Sequence, residues 1–294
     1  MDNPNWLAER FEENRDRLRA VAYRMLGSAG EAEDAVQEAW LHLSRSDTGA
    51  VANLRGWLTT VVARVCLDML RSRASRHEES FGQRLPEPVA NRADGINPEQ
   101  EAVLADSVGL ALLVVLNRLT PSERLAFVLH DMFAVPFEEI APIVRRSPAA
   151  ARQLASRARR RVQGPSTVSE VGMTQQRTVV DAFLTALRAG DLEAILAVLD
   201  PHVVRRADHV AVPAVAAREI RGAANVAKEA LTHADRARFA RSALVDGSVG
   251  IIVAPRGKLF MALPCKVAAG KIVEMDVIAD PDHLRRLDIS VLDH

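Results

Sequence analysis

The chain has 294 residues, enough for two or three small domains, and its formal net charge of zero singles out no partner. No apolar run reaches the length of a membrane span, and the N-terminus lacks the order of a signal peptide, so we expect a cytoplasmic protein with no membrane partner. Cys66 and Cys265 each lie in an apolar run, and the eight His show no paired ligand spacing. The sequence therefore predicts two buried thiols, no metal site and no cofactor.

Residues 5–74 carry three helical patterns, over 5–26, 29–44 and 53–74. Ser28 followed by Glu31 predicts a capping box at the start of the second helix. That helix has an acidic side (Glu31, Glu33, Asp34, Glu38) and an apolar side (Val36, Ala39, Trp40, Leu43). Together the patterns predict a small all-α domain, which we place at 1–80.

A polar stretch with Pro and Gly, 81–97, predicts a linker. Within it, residues 85–89 (LPEPV) are extended by their prolines and are either a plain spacer or a docking strip. Capping signals then open helices at Asn97-Pro98 and at Thr120-Pro121, the second over 121–133. A second all-α domain is predicted at 98–164, followed by a linker at 165–173.

Residues 137–161 have the pattern of a helix-turn-helix, whose second helix lies in the DNA major groove. Seven Arg lie between Arg145 and Arg161 without an acidic residue, which favours contact with phosphates and guanine edges over a merely solvated helix. Two features make the turn unusual. Pro142 removes a backbone hydrogen bond from the first helix, and Arg145 stands where glycine is common, so it must accept unfavourable backbone angles.

After residue 174 the pattern changes to helices followed by strands. Helices are predicted at 174–189, from Asp191 to Leu199, and at 223–234, and a short one from Asp280. Strands are predicted at 237–245, 248–254, 258–267 and 271–278, forming an antiparallel meander. The fold class is therefore multi-domain, with two all-α domains followed by an α+β domain at 174–294.

The order of these motifs resembles bacterial extracytoplasmic-function sigma factors with a fused C-terminal SnoaL-like, NTF2-like cone domain. The residues that carry the resemblance are 23–27 (YRMLG), 33–41 (EDAVQEAWL), 53–58 (NLRGWL), 119–124 (LTPSER) and the helix-turn-helix. The resemblance implies sigma region 2 in 1–80, region 4 in 98–164, and a non-enzymatic protein that binds core RNA polymerase and promoter DNA. One departure from this group is clear. Where its members often have a DGGGK-type motif, this chain has residues 207–211 (ADHVA), which contain neither the glycines nor the lysine.

The resemblance also implies interface residues. For core polymerase they are Asp34, Gln37, Glu38, Trp40 and Leu41, with packing in the core as an equal alternative for Trp40. For the melted minus-10 strand they are Asn53, Arg55, Trp57, Arg64, Arg71 and Arg73, beside a pocket loop at 46–53, with packing in the core as the favoured alternative for Trp57. For the minus-35 duplex they are Arg152, Gln153, Ser156, Arg157 and Arg160, opposite an apolar strip of Leu154, Ala158 and Val162.

The cone domain is implied to modulate the sigma domains. Its expected regulatory contacts are Leu85, Pro86, Glu87, Pro88, Asp280, Pro281 and Asp282. A small-molecule ligand is possible and its identity open. Two alternatives remain: a one-component helix-turn-helix regulator with a ligand-sensing cone domain, and a small-molecule enzyme. Candidate acid–base groups for the latter are His202, Asp208, His209, Glu274 and Asp276.

Overall fold

A computed structural model describes residues 4–46, 53–75, 109–164, 170–211 and 217–292. The chain divides into two compact units. The first comprises Met1–Val108 and Leu116–Arg159, and the second comprises Gly109–Val115 and Arg160–His294. The expected linker at 81–97, the helix start at Asn97-Pro98 and most of the loop at 46–53 lie outside the described residues.

The N-terminal helices confirm the sequence pattern closely: α1 (Pro4–Leu26), α2 (Ala29–Ser44) and α3 (Leu54–Ser75). Gly27 ends α1 with φ +73°, a left-handed conformation that glycine adopts without strain. The Ser28 side chain then accepts a hydrogen bond from the Glu31 N–H. Asn53 Oδ1 accepts from the Gly56 N–H at 3.0 Å and so begins α3. Buried apolar residues from all three helices form the core, among them Leu18, Val21, Met25, Val36, Leu43, Leu58, Cys66 and Leu67.

The next helices are α4 (Leu110–Arg118), α5 (Pro121–Phe127), α6 (Phe137–Val144) and α7 (Pro148–Gln163). Thr120 and Glu123 form a complete capping box at the start of α5. The prediction of one α-helix over 121–133 is wrong, because Val128–Met132 widen into a π-helical turn. In this turn the His130 ring stacks on Phe137 at 3.8 Å between centroids, and its Nδ1 lies 3.1 Å from the Val135 carbonyl.

The helix-turn-helix geometry confirms the expected strain. Arg145 ends α6 in the left-handed region, with φ 57° and ψ 49°. Pro142 lies inside α6 and offers no backbone donor. The Ser147 hydroxyl accepts from the Ala150 N–H at 3.2 Å, which opens α7. The predicted helix-turn-helix is therefore present, with a non-glycine residue at its turn.

The C-terminal helices are α8 (Glu170–Ala189), α9 (Leu192–Val198), α10 (Ala223–Leu231) and α11 (Pro281–Arg286). Helix α8 begins four residues earlier than expected. The predicted cap of α9 is confirmed, since Asp191 Oδ1 accepts from the Ala194 N–H at 3.0 Å. Helix α10 ends at Leu231, and Ala234–Phe239 form a 3₁₀ helix where the first strand of the meander was expected to begin.

Seven strands form one sheet among the described residues, in the order β2-β1-β6-β5-β4-β3-β7. They are β1 (Leu199–Ala207), β2 (Glu219–Arg221), β3 (Ala240–Val245), β4 (Ser248–Val253), β5 (Met261–Ala268), β6 (Lys271–Val277) and β7 (Ile289–Ser290). The antiparallel meander β3–β6 confirms the prediction. The strands β1, β2 and β7 were not predicted, and β1 runs parallel to β6.

Helix α8 packs on this sheet through Val180, Phe183 and Leu184, against strand residues that include Val203, Ile251 and Met275. Cys265 belongs to the same core, and both Cys265 and Cys66 are free thiols, as expected. Burial raises the pKa of each to about 12. Within the described ranges, none of the helices has the length and apolar content needed to cross a membrane.

Candidate polymerase and nucleic-acid interfaces

Helix α2 presents four of its five predicted polymerase-binding residues to solvent. Asp34, Gln37, Glu38 and Leu41 are all exposed, and their spacing places them on one face. Leu41, a large apolar side chain, is 37% exposed. The structure thus brings together two carboxylates, an amide and an apolar group on an open surface.

Trp40 is half-buried, and its ring packs on Phe11 of α1 with centroids 5.1 Å apart. Trp40 had two alternative roles, in the polymerase interface or in the core of the domain, and this contact favours packing within the domain.

The acidic side of α2 is divided by ion pairs. Glu31 pairs with Arg73 of α3, and Glu33 pairs with Arg15 and, at 3.8 Å, with Arg19 of α1. Asp34 has no ion pair among the residues described here. Within the same described ranges, Glu38 has one ion-pair partner, His42, at 3.5 Å. The inner pair of carboxylates holds the three helices together, whereas the outer pair remains available.

Helix α3 carries basic residues on two sides, with Arg64 and Arg71 on one and Arg55 and Arg73 on the other. Asn53, Arg55 and Arg64 are exposed, whereas Arg71 and Trp57 are half-buried. The Arg71 guanidinium lies 3.8 Å from Asp68. Arg73 is engaged by Glu31 in this structure, so its positive charge is partly neutralised.

The recognition helix α7 has a basic outer face. Arg152, Gln153, Arg157 and Arg160 are exposed, and Ser156 is half-buried beside them. The opposite face is lined by small residues: Ala151, Ala155 and Ala158 are fully buried. Of the expected apolar strip, Ala158 and Val162 are buried and Leu154 is half-buried.

Arg159 lies near Arg152 on α7, but its guanidinium is bonded to Asp131. Its Nε donates to Asp131 Oδ1 at 2.8 Å, and its Nη2 bonds the same oxygen. It therefore fixes α7 to the π-helical turn. The sequence pattern alone does not reveal that Arg159 has this partner.

Two contacts between the region-2-like and region-4-like helices were missed by the sequence reasoning. Phe133 lies between Arg17 and Arg24, each guanidinium 5.2 Å from its ring centroid, and Arg17 Nη2 donates to the Phe133 carbonyl at 3.1 Å. Burial lowers the pKa of both arginines, and for Arg17 the charge of Arg55 adds to this. A single aromatic residue between two helices gives no sequence signal for such a contact.

The second missed contact is that of Arg124, which is only 5% exposed. Its Nη1 donates to the Met25 carbonyl at 2.7 Å and to Asn117 Oδ1 at 3.0 Å. Burial, together with the charge of Arg73, lowers the pKa of Arg124 to about 10. The sequence signal that could have pointed to Arg124 was its place as the last residue of the LTPSER motif.

In the cone domain, Asp208 is a structural acceptor. Its Oδ1 accepts from the backbone N–H of Val210 at 3.0 Å and of Ala211 at 2.8 Å. Its Oδ2 accepts from Ala279 and Asp280, both at 2.7 Å. Burial opposes ionisation, but these four donors prevail and lower the pKa of the carboxyl.

The other acid–base candidates do not converge with Asp208 on one reacting centre. Glu274 pairs with Arg206 and, at 2.6 Å, with Lys266, and Asp276 lies 3.8 Å from Arg206. His209 is exposed and lies 3.9 Å from Asp280, and His202 is exposed on β1. The sequence also missed Arg205, which is buried and forms a two-pronged pair with Glu229 of α10.

Of the expected regulatory contacts, Leu85, Pro86, Glu87 and Pro88 lie outside the described residues. Asp280 caps α11, accepting from the His283 N–H at 2.8 Å. Pro281 is the first residue of α11, and Asp282 is exposed and pairs with Arg285. Also within the second unit, the Val291 N–H donates to the Val162 carbonyl in the last turn of α7, at 2.9 Å.

Comparison with known proteins agrees with this arrangement. Residues 10–76 match the family described as Sigma-70 region 2, and residues 109–162 match Sigma-70, region 4. The ECF RNA polymerase sigma factor SigJ of Mycobacterium tuberculosis is 41% identical over 285 residues, covering 92% of this chain and 91% of the relative. The probable ECF RNA polymerase sigma factor SigI of the same species is 35% identical over 274 residues, covering 90% of each.

Among solved structures, a crystal structure of M. tuberculosis SigJ is 38% identical, covers 94% of this chain and 97% of that chain, and has a TM-score of 0.47. An NTF2-like protein of unknown function from Cytophaga hutchinsonii is 17% identical, covers 37% of this chain and 93% of its own, and has a TM-score of 0.26. The identity to SigJ and SigI over nine-tenths of each chain, with both regions matched in order, shows that the chain belongs to the extracytoplasmic-function (ECF) RNA polymerase sigma factors.

Proposed function

We propose a division of labour within this sigma factor, which binds core RNA polymerase and directs initiation at promoters. Residues 1–80 bind the polymerase and the melted minus-10 strand, and 98–164 bind the minus-35 duplex. A linker at 81–97 separates the first two parts, and the linker expected at 165–173 is shortened because α8 begins at Glu170, so the regulatory domain starts with that helix. Since its work is on RNA polymerase, we place the protein in the cytoplasm.

Polymerase binding is assigned to the exposed face of α2. Asp34 and Glu38 offer carboxylates to a basic partner surface, Gln37 adds an amide, and the exposed Leu41 adds apolar area at the centre of the contact. Trp40 supports this surface from below through its packing on Phe11. The observation that carries the assignment is that these carboxylates are left out of the ion pairs that hold α1, α2 and α3 together.

Strand binding is assigned to α3. Arg55, Arg64 and Arg71 would contact phosphates of the melted strand, and Asn53 and Trp57 would border the extruded base. Arg73 can join them only if its pair with Glu31 opens. Because the loop before Asn53 lies outside the described residues, the pocket itself remains a prediction.

Duplex binding is assigned to α7, whose exposed Arg152, Arg157 and Arg160 alternate with Gln153 and Ser156. Arginines of such a face neutralise phosphates and fork onto guanine edges, and glutamine and serine can bond other base edges. A one-component regulator that acts without polymerase is not favoured, because it would need neither α2 nor α3 in these roles.

We further propose that the C-terminal domain modulates the sigma domains and is not an enzyme. Its acid–base candidates are engaged in structure: the Asp208 oxygens accept four backbone hydrogen bonds, and Glu274 and Asp276 both pair with Arg206. The hydrogen bond from Val291 to Val162 supports control through the end of the recognition helix.

A pair of variants tests this control. Val291→Pro removes the N–H that bonds Val162, whereas Val291→Ala keeps it. We expect Val291→Pro and truncation after Pro165 to change the yield of promoter-dependent transcripts with core polymerase, and Val291→Ala to leave it unchanged. Equal yields from all four proteins would refute control by the C-terminal segment.

A further inference from the structure

The first unit contains a cavity of about 300 Å³ between α3 and α6. Arg64 and Arg71 line it from α3, and Arg145 lines it from the turn of the helix-turn-helix. Leu67 and Ile143, both buried, supply apolar wall. Two arginines two turns apart on α3 and a third from the turn after α6 thus line one small space.

These charges are poorly balanced. Asp68 is the one carboxylate among the lining residues, and it lies 3.8 Å from Arg71. Across the described ranges, Arg64 and Arg145 form no ion pair. Like charges around a partly enclosed space repel one another more strongly than they would in open water. An anion that enters the cavity would remove this repulsion.

Arg145 adds a second observation. It occupies the left-handed region, with φ 57°, where glycine would carry less strain. Strained non-glycine residues cluster at ligand sites, although Ala134, Asp246 and Ala269 of this chain also have positive φ. Here the turn holds the guanidinium at the cavity, and its neighbour Arg146 does not line it.

We propose that this cavity binds a diphosphate group, either free pyrophosphate or the diphosphate of a nucleotide. Guanidinium groups match phosphate oxygens geometrically and bind them through two parallel hydrogen bonds. Two linked phosphates present more oxygens than a single phosphate, so a diphosphate can contact arginines from both helices at once. The volume lies at the lower end of the range for small-ligand sites, which suits a compact anion.

The bound diphosphate would also hold α3 and α6 together. This consequence rests on the proposed function, in which Arg64 and Arg71 contact the melted promoter strand. The same two arginines cannot serve the strand and the diphosphate at once. Diphosphate would therefore compete with promoter opening, whereas Arg145 takes part only in the diphosphate site.

The first experiment is calorimetric titration of the full-length protein with pyrophosphate, without divalent cations and at physiological ionic strength. We expect saturable binding, weakened about tenfold or more in Arg145→Gly and in Arg64→Ala. Glycine suits the backbone at this turn, so Arg145→Gly should fold. Arg146→Ala is the matched control and should bind as the unaltered protein does.

Three results would overturn the site: no saturable binding, an equal loss in Arg146→Ala, or equal competition by sulfate at the same ionic strength. A nucleoside diphosphate serves as the second ligand. Tighter binding than pyrophosphate identifies the nucleotide as the source, and weaker binding identifies free pyrophosphate.

The second experiment separates this site from the proposed function. Holoenzyme is bound to the melted strand of a promoter that supports transcription, with and without pyrophosphate. We expect pyrophosphate to weaken strand binding by the unaltered protein but not by Arg145→Gly. If Arg64→Ala lost pyrophosphate binding but kept full affinity for the melted strand, the role of Arg64 in strand binding would be refuted and the diphosphate site would be supported. Pyrophosphate binding without any effect on the strand would overturn the competition.

Discussion

The basic face of α7 can be tested with two neighbouring arginines that the structure places differently. Arg157 is exposed on that face, whereas Arg159 is bonded to Asp131 through both Nε and Nη2. We expect Arg157→Ala to remove a phosphate contact and Arg159→Ala to remove an internal ion pair. The two substitutions delete the same charge from the same helix, so net charge cannot explain a difference between them.

The magnitude follows from counterion release. Each phosphate contact contributes about 0.9 to the slope of log affinity against log salt concentration. A roughly fourfold rise in salt weakens each phosphate contact about 3.5-fold. Arg157→Ala, which lacks one contact, should therefore lose about 3.5-fold less affinity over that rise than the unaltered protein does. Arg159→Ala should leave the slope unchanged and lower the free energy of unfolding by up to about 1 kcal/mol, since its pair is partly exposed.

The assay is fluorescence anisotropy of holoenzyme on labelled promoter duplex at several salt concentrations. Thermal unfolding of each variant checks the fold separately. An unchanged slope for Arg157→Ala, or an equal reduction for Arg159→Ala, would refute the assignment of this face to DNA.

Three further predictions concern other parts of the chain. Glu38→Lys should weaken association with core polymerase, measured by co-elution, whereas the exposed Glu12→Lys of α1 should not; equal effects would remove α2 from the interface. Asp208→Asn should lower the free energy of unfolding by about 2 kcal/mol in denaturant titration, because an amide group would face two N–H donors. The pKa of Asp208 in the folded protein lies below its ordinary value of 3.8, so the ionised carboxylate should stabilise the fold fully above pH 3.8 and lose this effect as pH falls through the folded pKa. Asp208→Asn should therefore reduce the loss of unfolding free energy at acid pH, and an unchanged pH dependence would contradict the role of Asp208. Arg145→Gly should raise the free energy of unfolding by roughly 0.5–1 kcal/mol, because relief of left-handed strain exceeds the added freedom of glycine in the unfolded chain, and any loss of stability would contradict this.

Local signals predicted much of the fold. The bounds of α2 were given correctly by the cap at Ser28, the apolar spacing and the following turn residues. The hairpins of the meander were predicted from the glycine-containing pairs Asp246-Gly247 and Ala269-Gly270. In the structure both residues of each pair have the positive φ values of tight hairpin turns. In each case the residues that determine the element lie within it or directly beside it.

The failures have a different cause. Strand β1 was missed because Arg205 points into the core, where a strand pattern calls for an apolar residue, and its charge is met by Glu229 from a later helix. Pairing of β1 with β6 joins segments about 70 residues apart, which no local pattern encodes. Likewise, Arg159 looked equivalent to its neighbours until Asp131 was placed beside it.

The candidate interfaces show the same division. Helical spacing was sufficient to place Asp34, Glu38 and Leu41 on one exposed face. It could not reveal that Glu31 and Glu33 are bound to neighbouring helices, because those partners come from elsewhere in the chain. Spacing alone therefore identified the surface but not which of its charges are free to bind.

The most direct test of the account is run-off transcription with purified bacterial core polymerase and a promoter library. We predict transcripts from a subset of promoters with the full-length protein, and a changed yield when the chain is truncated after Pro165. Core polymerase alone should give none of these transcripts. If the full-length protein neither associated with core polymerase nor produced promoter-dependent transcripts, the assignments of α2, α3 and α7 would all be contradicted.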